Sequence, residues 1–231
     1  MKKAIALIEL IFAIVIIGIT MLTIPNLLNT TTKAATNVIT QEAVSSGASH
    51  IAMIMSQYWD EACANNDSPI LYVLAGDIEL NEANASKRRV GSNKNTTRRF
   101  KLDKSGNKIF AVNRSSFGRN LDINETEPDD VDDFDKSNYT LVNRENAKVE
   151  TGEYKDKVIN IATSVFYISD KTAYNNVSTV IFNNPFNTPN NISTNIKAIK
   201  VDITSANDKK FISLKAFSCN IGAQRLRRRD F

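Results

Sequence analysis

The chain has 231 residues, with 29 Lys and Arg against 25 Asp and Glu, and carries a net charge of +4 at neutral pH. So mild an excess argues little about partners, and it gives no ground for expecting recognition by bulk charge. The two cysteines, Cys63 and Cys219, suit an exported, oxidising compartment without requiring one. Glycine and proline are scarce, asparagine is abundant, and there is no internal repeat or extended low-complexity run.

The first 28 residues read MKKAIALIELIFAIVIIGITMLTIPNLL. Lys2 and Lys3 precede an apolar run from Ile5 to Ile24. About 20 residues at ~1.5 Å each span the ~30 Å hydrocarbon core of a bilayer. The lysines are expected to stay cytoplasmic, which puts the rest of the chain on the far side. Glu9 interrupts the run. A carboxylate within a membrane segment costs roughly 2.5–3.5 kcal/mol on insertion scales, less near the end than at the centre, so it calls for a functional reason.

The segment Ala4-Ile5-Ala6-Leu7-Ile8-Glu9-Leu10 resembles the processing motif of the type IV pilin and type II secretion pseudopilin family. In that family a short basic leader is removed just before an apolar helix whose fifth residue is glutamate. Glu9 is fifth when the cut falls between Ala4 and Ile5. Gly18 and Pro25 stand where the family helix usually carries glycine and, within one residue, proline. Ala4 replaces the usual glycine at the end of the leader, and Ile5 the usual phenylalanine or methionine at the start of the mature chain. The resemblance implies cleavage and N-methylation by a prepilin peptidase. It also implies an inner-membrane, single-pass subunit with a periplasmic head, in which Glu9, Gly18 and Pro25 serve assembly into a type IV pilus or a type II secretion-type pseudopilus. Its partners would be inner-membrane lipid, prepilin peptidase, other pilin or pseudopilin subunits, and the secretion or pilus assembly machinery. Two plainer readings compete. A secretory signal peptide would need a cleavage site, of which Thr32-Lys33-Ala34 is a poor version. A single-pass anchor on an extracytoplasmic binding domain that does not polymerise leaves Glu9 unexplained.

Beyond Pro25 the helix is expected to bend and continue, since proline removes one donor and crowds the preceding turn. Val44, Ala48, Ile51, Met55, Tyr58 and Ala62 recur at helical spacing and predict an apolar stripe, with Asn65-Asn66-Asp67-Ser68-Pro69 as the stop. The predicted organisation is a leader (1–4), a transmembrane and assembly helix (5–28), an amphipathic extension (29–64) and a β-rich head (65–231). Removing the membrane helix and its extension leaves about 165 residues, enough for one core.

In the head, strands are predicted at 70–75, 108–112, 157–169, 178–182, 195–204 and 210–220. The last two alternate and flank the turn candidate Ser205-Ala206-Asn207-Asp208, which reads as a hairpin. On the first of them Lys197, Ile199, Val201 and Ile203 share a face, one charge among three apolar residues. Strands without intervening helices imply an antiparallel sheet, so the expected class is α+β: one long N-terminal helix on an antiparallel head.

Residues that signal chemistry are few, and the chain reads as a non-enzyme with no catalytic residues and no cofactor. His50 falls in mid-helix without a nucleophile motif. The two cysteines and one histidine lack zinc-ligand spacing, and there is no glycine-rich phosphate loop. Cys63 and Cys219 are either a disulfide closing a long loop or two separate thiols. Eleven bases between Lys87 and Arg119 meet only Asp103, and eight acids follow between Asp122 and Asp135. These blocks read as solvated loops or as complementary surfaces between subunits. Calcium at Asp129, Asp130, Asp132 and Asp133 is an alternative, although the spacing is not an EF-hand loop. With only Phe100, Phe110 and Phe117 among the bases, a nucleic-acid partner is not expected. Arg225, Arg227, Arg228 and Arg229 read as a solvated tail.

Overall fold

The computed structural model describes residues 2–63, 69–76, 78–90, 92–93, 96–118, 128–143, 157–169, 186, 188–205 and 210–223. The expected strand at 178–182, the stop at 65–68, the hairpin tip at 206–208, the acids before Pro128 and the terminal arginines lie outside them. The class is α+β: one long helix, α1 (Lys2–Met55), and an antiparallel five-stranded sheet. The chain divides into two compact units, Met1–Ser45 and Ser46–Phe231.

The first unit is helical throughout its described residues, and Pro25 lies inside the helix without ending it. Hydroxyls bond back to carbonyls one turn earlier: Thr20 to Ile17, Thr23 to Thr20, Thr30 to Leu27 and Thr36 to Thr32, at 2.8–3.1 Å. In an apolar medium such back-bonding satisfies side-chain donors that have no water to turn to.

The second unit is built on β1 (Asn138–Asn143), β2 (Lys157–Ile168), β3 (Pro189–Asn190), β4 (Ile196–Ser205) and β5 (Lys210–Cys219). The order is β1-β2-β4-β5, with β3 pairing the far end of β2. Period-2 alternation sets one inward face. The register aligns Ile161 with Ile203 and Ile212, Thr163 with Val201 and Leu214, Val165 with Ile199 and Ala216, and Tyr167 with Lys197 and Ser218. The last turns of α1 lie over this face. A Cβ on Gly47 would stand 2.6 Å from Ile203 Cδ1, so glycine permits the close approach. His50 Nε2 shares a 2.9 Å hydrogen bond with Thr163 Oγ1, and its ring meets the edges of Phe134 and Tyr139.

Four expectations are corrected. The helix ends at Met55 rather than near residue 64, because the next backbone is captured: Tyr58 N donates to Asp129 O (3.2 Å) and Val131 N to Tyr58 O (2.9 Å). Within the second unit the buried helix positions are Gly47 and Ile54, with His50 half-buried, while Ala48 and Met55 are exposed. Residues 70–75 are not a strand although Ile70–Val73 are buried. Ile70 N and Tyr72 N donate to Arg99 O and Ile109 O, whereas Leu71 and Val73 are each bracketed by an amide side chain, Asn220 and Asn81. Two asparagines thus stand in for a neighbouring strand. Residues 108–112 likewise make only isolated bridges.

Candidate assembly helix and a charged cluster in the head

In the first unit, Ala4, Ile5, Glu9, Gly18 and Pro25 all fall within α1. Glu9 is exposed, and a Cβ on Gly18 would meet nothing within 4 Å. The large apolar side chains from Ile8 to Leu28 are exposed, from 51% at Val15 to 75% at Leu22. This is one helix long and apolar enough to cross a membrane, near the N-terminus. A helix that is apolar all round is stable only when lipid or other helices cover it.

In the second unit the charges converge inside the head. Lys197 has no exposed surface, and its three ammonium protons go to Trp59 O (2.7 Å), Asp60 Oδ2 (3.0 Å) and Asp132 Oδ1. The rings of Trp59, Phe117 and Tyr167 stand 4.5, 5.0 and 5.4 Å from the ammonium. Asp60 Oδ1 accepts from Ala62 N, and Oδ2 also accepts from Val112 N at 3.2 Å. Tyr167 Oη lies 2.7 Å from Val112 O and 3.3 Å from Asp60 Oδ2. Trp59 Nε1 donates to Ser218 O, closing the cluster over β5.

The electrostatics mark this cluster as a clamp. Burial alone would discharge Lys197, but Asp132, Asp60 and Asp130 outweigh it and hold its pKa above the ordinary lysine value. Burial, with Asp60 and Asp132 adding to it, likewise pushes the Tyr167 phenol up. Burial raises Asp132 to about 6 against the pull of Lys197. Burial and the neighbouring Asp132 push Asp130 up to about 10. A lysine and a phenol so held keep their protons at neutral pH and offer no base.

Among its described residues, from Asp129 onward, the acidic segment is therefore not a solvated loop. Asp130, Asp132 and Asp133 are buried, together with Val131 and Phe134. Nor do the four expected calcium ligands converge. Asp132 is committed to Lys197, and Asp133 Oδ2 accepts from Asp129 N (3.0 Å) and Asp130 N (3.4 Å). Asp129 and Asp130 instead approach Glu61, just past the end of α1. The expected disulfide is also corrected: Cys63 and Cys219 are not bonded to each other and both remain thiols. Cys63 is buried with its Sγ 3.8 Å from Pro69 O, and burial, with Asp60 adding to it, pushes the thiol up to about 12.

The sequence did carry signals for the cluster. Lys197 breaks an otherwise apolar strand face, and Val131 and Phe134 sit among the acids, where a solvated run has no use for them. Asp60 gave no such signal. The bases are less uniform than their spacing suggests: Arg89 lies 5.6 Å over Phe100 and Lys108 4.8 Å over Tyr72, and these two rings stack at 4.4 Å. No family model, curated protein or solved structure matches the chain.

Proposed function

We propose that the chain is a pilin-like or pseudopilin subunit: cut between Ala4 and Ile5, held in the inner membrane by α1 with its head in the periplasm, and assembled into a filament through packed N-terminal helices. The observation that carries this reading is the exposed apolar helix with one acid, Glu9, near its start. Lipid would cover such a surface before assembly, and neighbouring helices after it. A plain anchor accounts for the apolar surface but gives Glu9 no task. The buried clamp supports a head whose role is mechanical, since its charges are spent on one another. Intact mass of membrane-extracted protein, from cells with an active prepilin peptidase, tests the reading. The expected product begins at Ile5, with or without N-methylation. Protein that retains Met1 or Lys2 under those conditions overturns it in favour of a non-polymerising anchor.

A further inference from the structure

We propose that Glu61, Asp129 and Asp130 form a divalent-cation site of the calcium type, where the turn after α1 meets the loop leading into β1. One carboxylate oxygen of each lies within 4.8 Å of those of the other two. Asp130 supplies an independent sign. It is 1% exposed, its Oδ1 accepts from Asp132 N (2.8 Å) and Asp133 N (3.1 Å), and its Oδ2 is buried with no hydrogen-bond partner. A buried carboxyl oxygen left in that state is costly, and a cation bound at the trio would supply a partner.

The two segments are joined by bonds that need no ion. Tyr58 pairs with the backbone on either side of Asp130, and Asp133 Oδ2 holds the amides of both Asp129 and Asp130. Asp60 fixes the other side, since its carbonyl and carboxylate accept from Cys63 N (2.7 Å) and Ala62 N (3.1 Å), setting the turn that carries Glu61. The three donors of Lys197 are all directed to Trp59, Asp60 and Asp132, so its ammonium makes no hydrogen bond to the trio. Glu61 and Asp129 are only partly buried, which leaves an approach for the ion.

The ligand chemistry selects among ions. Three carboxylates with no nitrogen or sulfur disfavour zinc. Calcium–oxygen distances of about 2.3–2.6 Å allow ligand oxygens up to ~4.8 Å apart around one ion, whereas magnesium at ~2.1 Å needs a tighter octahedron. The site is independent of whether the chain polymerises.

The test uses the full chain in detergent micelles, stripped with a chelator and titrated with terbium as a luminescent stand-in for calcium. Trp59, the one tryptophan of the chain, lies two residues from Glu61 and serves as the sensitiser. The expected result is saturable terbium emission that calcium displaces and equimolar magnesium does not. Glu61→Gln and Asp129→Asn should each weaken it about tenfold or more, because carboxylate count sets affinity in such sites. Asp103→Asn, at an exposed carboxylate outside the trio, should leave it unchanged, and circular dichroism verifies that every variant is folded. Emission that does not saturate, or that survives both substitutions at parental affinity, overturns the site.

Discussion

At the scale of single residues, the head turns on a lysine with no exposed surface. A buried ion pair is weak grounds for added stability, but removing one partner leaves the other charge stranded, at a cost of about 3–5 kcal/mol. Lys197→Met is therefore expected to lower the unfolding free energy of the head by that amount, seen as a lower urea midpoint, with part recovered when Asp132→Leu is added. A midpoint unchanged by Lys197→Met would mean the clamp contributes nothing. The same geometry makes Asp132→Lys a folding defect rather than a surface change, since it would set a second ammonium against Lys197 in a buried site. His50 gives a pH signature. Burial lowers its pKa, so the unfolded chain takes up a proton near pH 6.5 that the folded ring resists. Stability from this residue is whole above that pH and is lost as pH falls through it. Between about pH 7.5 and 5.5 the midpoint of the parent should drop relative to His50→Gln, the difference being modest because the ring is only half-buried. The thiols give a third expectation. Unreduced, denatured protein should alkylate at both cysteines, and native protein should spare Cys63, whose thiol is buried and pushed up to about 12.

At the scale of elements, Gly47 decides which face of α1 meets the sheet. Alanine there gains up to ~1 kcal/mol of helix propensity over glycine. A Cβ 2.6 Å from Ile203 Cδ1 and 3.1 Å from Leu214 Cδ1, against a fully buried Ile203, opposes that gain. Overpacking of this kind costs about 1–3 kcal/mol, so Gly47→Ala should be near neutral or mildly destabilising and Gly47→Leu clearly destabilising. Ala48→Leu, one residue along on an exposed position, should be tolerated. Equal tolerance at both positions, read by thermal melting, would show that the face is wrongly placed. The sequence predicted Ala48 on that face because its periodicity was anchored on Val44, Ile51 and Met55, whereas Gly47 and His50, which face the sheet, carry no hydrophobic signal. Where local pattern governs, the strands were legible: β2, β4 and β5 alternate and lie within a residue or two of their expected ends. β1 was missed because Asn138–Asn143, a short strand of mixed polarity, gains its place by pairing with β2. The helix end was illegible for the same reason, since Tyr58 is taken by a segment some 70 residues away. Asp60 became part of the clamp through that capture, which no spacing in the sequence encodes.

At the scale of the whole molecule, the open question is what covers the apolar length of α1 and what Glu9 does there. Cleavage before Ile5 would create a positive amine at the start of an apolar helix. Glu9 lies four residues further on, poorly placed to be that amine's sole partner within the same helix. A neighbouring subunit displaced along a filament axis can bring its own terminal amine to this carboxylate instead. An unpaired charge in an apolar medium costs several kcal/mol, and pairing offsets that cost only at the displacement where the two groups meet. The contact would thus fix the register between helices, while the surrounding apolar side chains, which lipid or a neighbour covers about equally well, contribute cohesion without register. Glu9→Leu should then leave membrane insertion intact, or slightly improve it, because the substitution removes the one carboxylate from the apolar run. Incorporation into filaments should fall. Glu9→Gln, which keeps the shape but not the charge, should fall with it. Fractionation into membrane and sheared-filament pools, probed for the head, separates the two steps. Normal filament incorporation of both variants would remove the register role and leave α1 as an anchor alone.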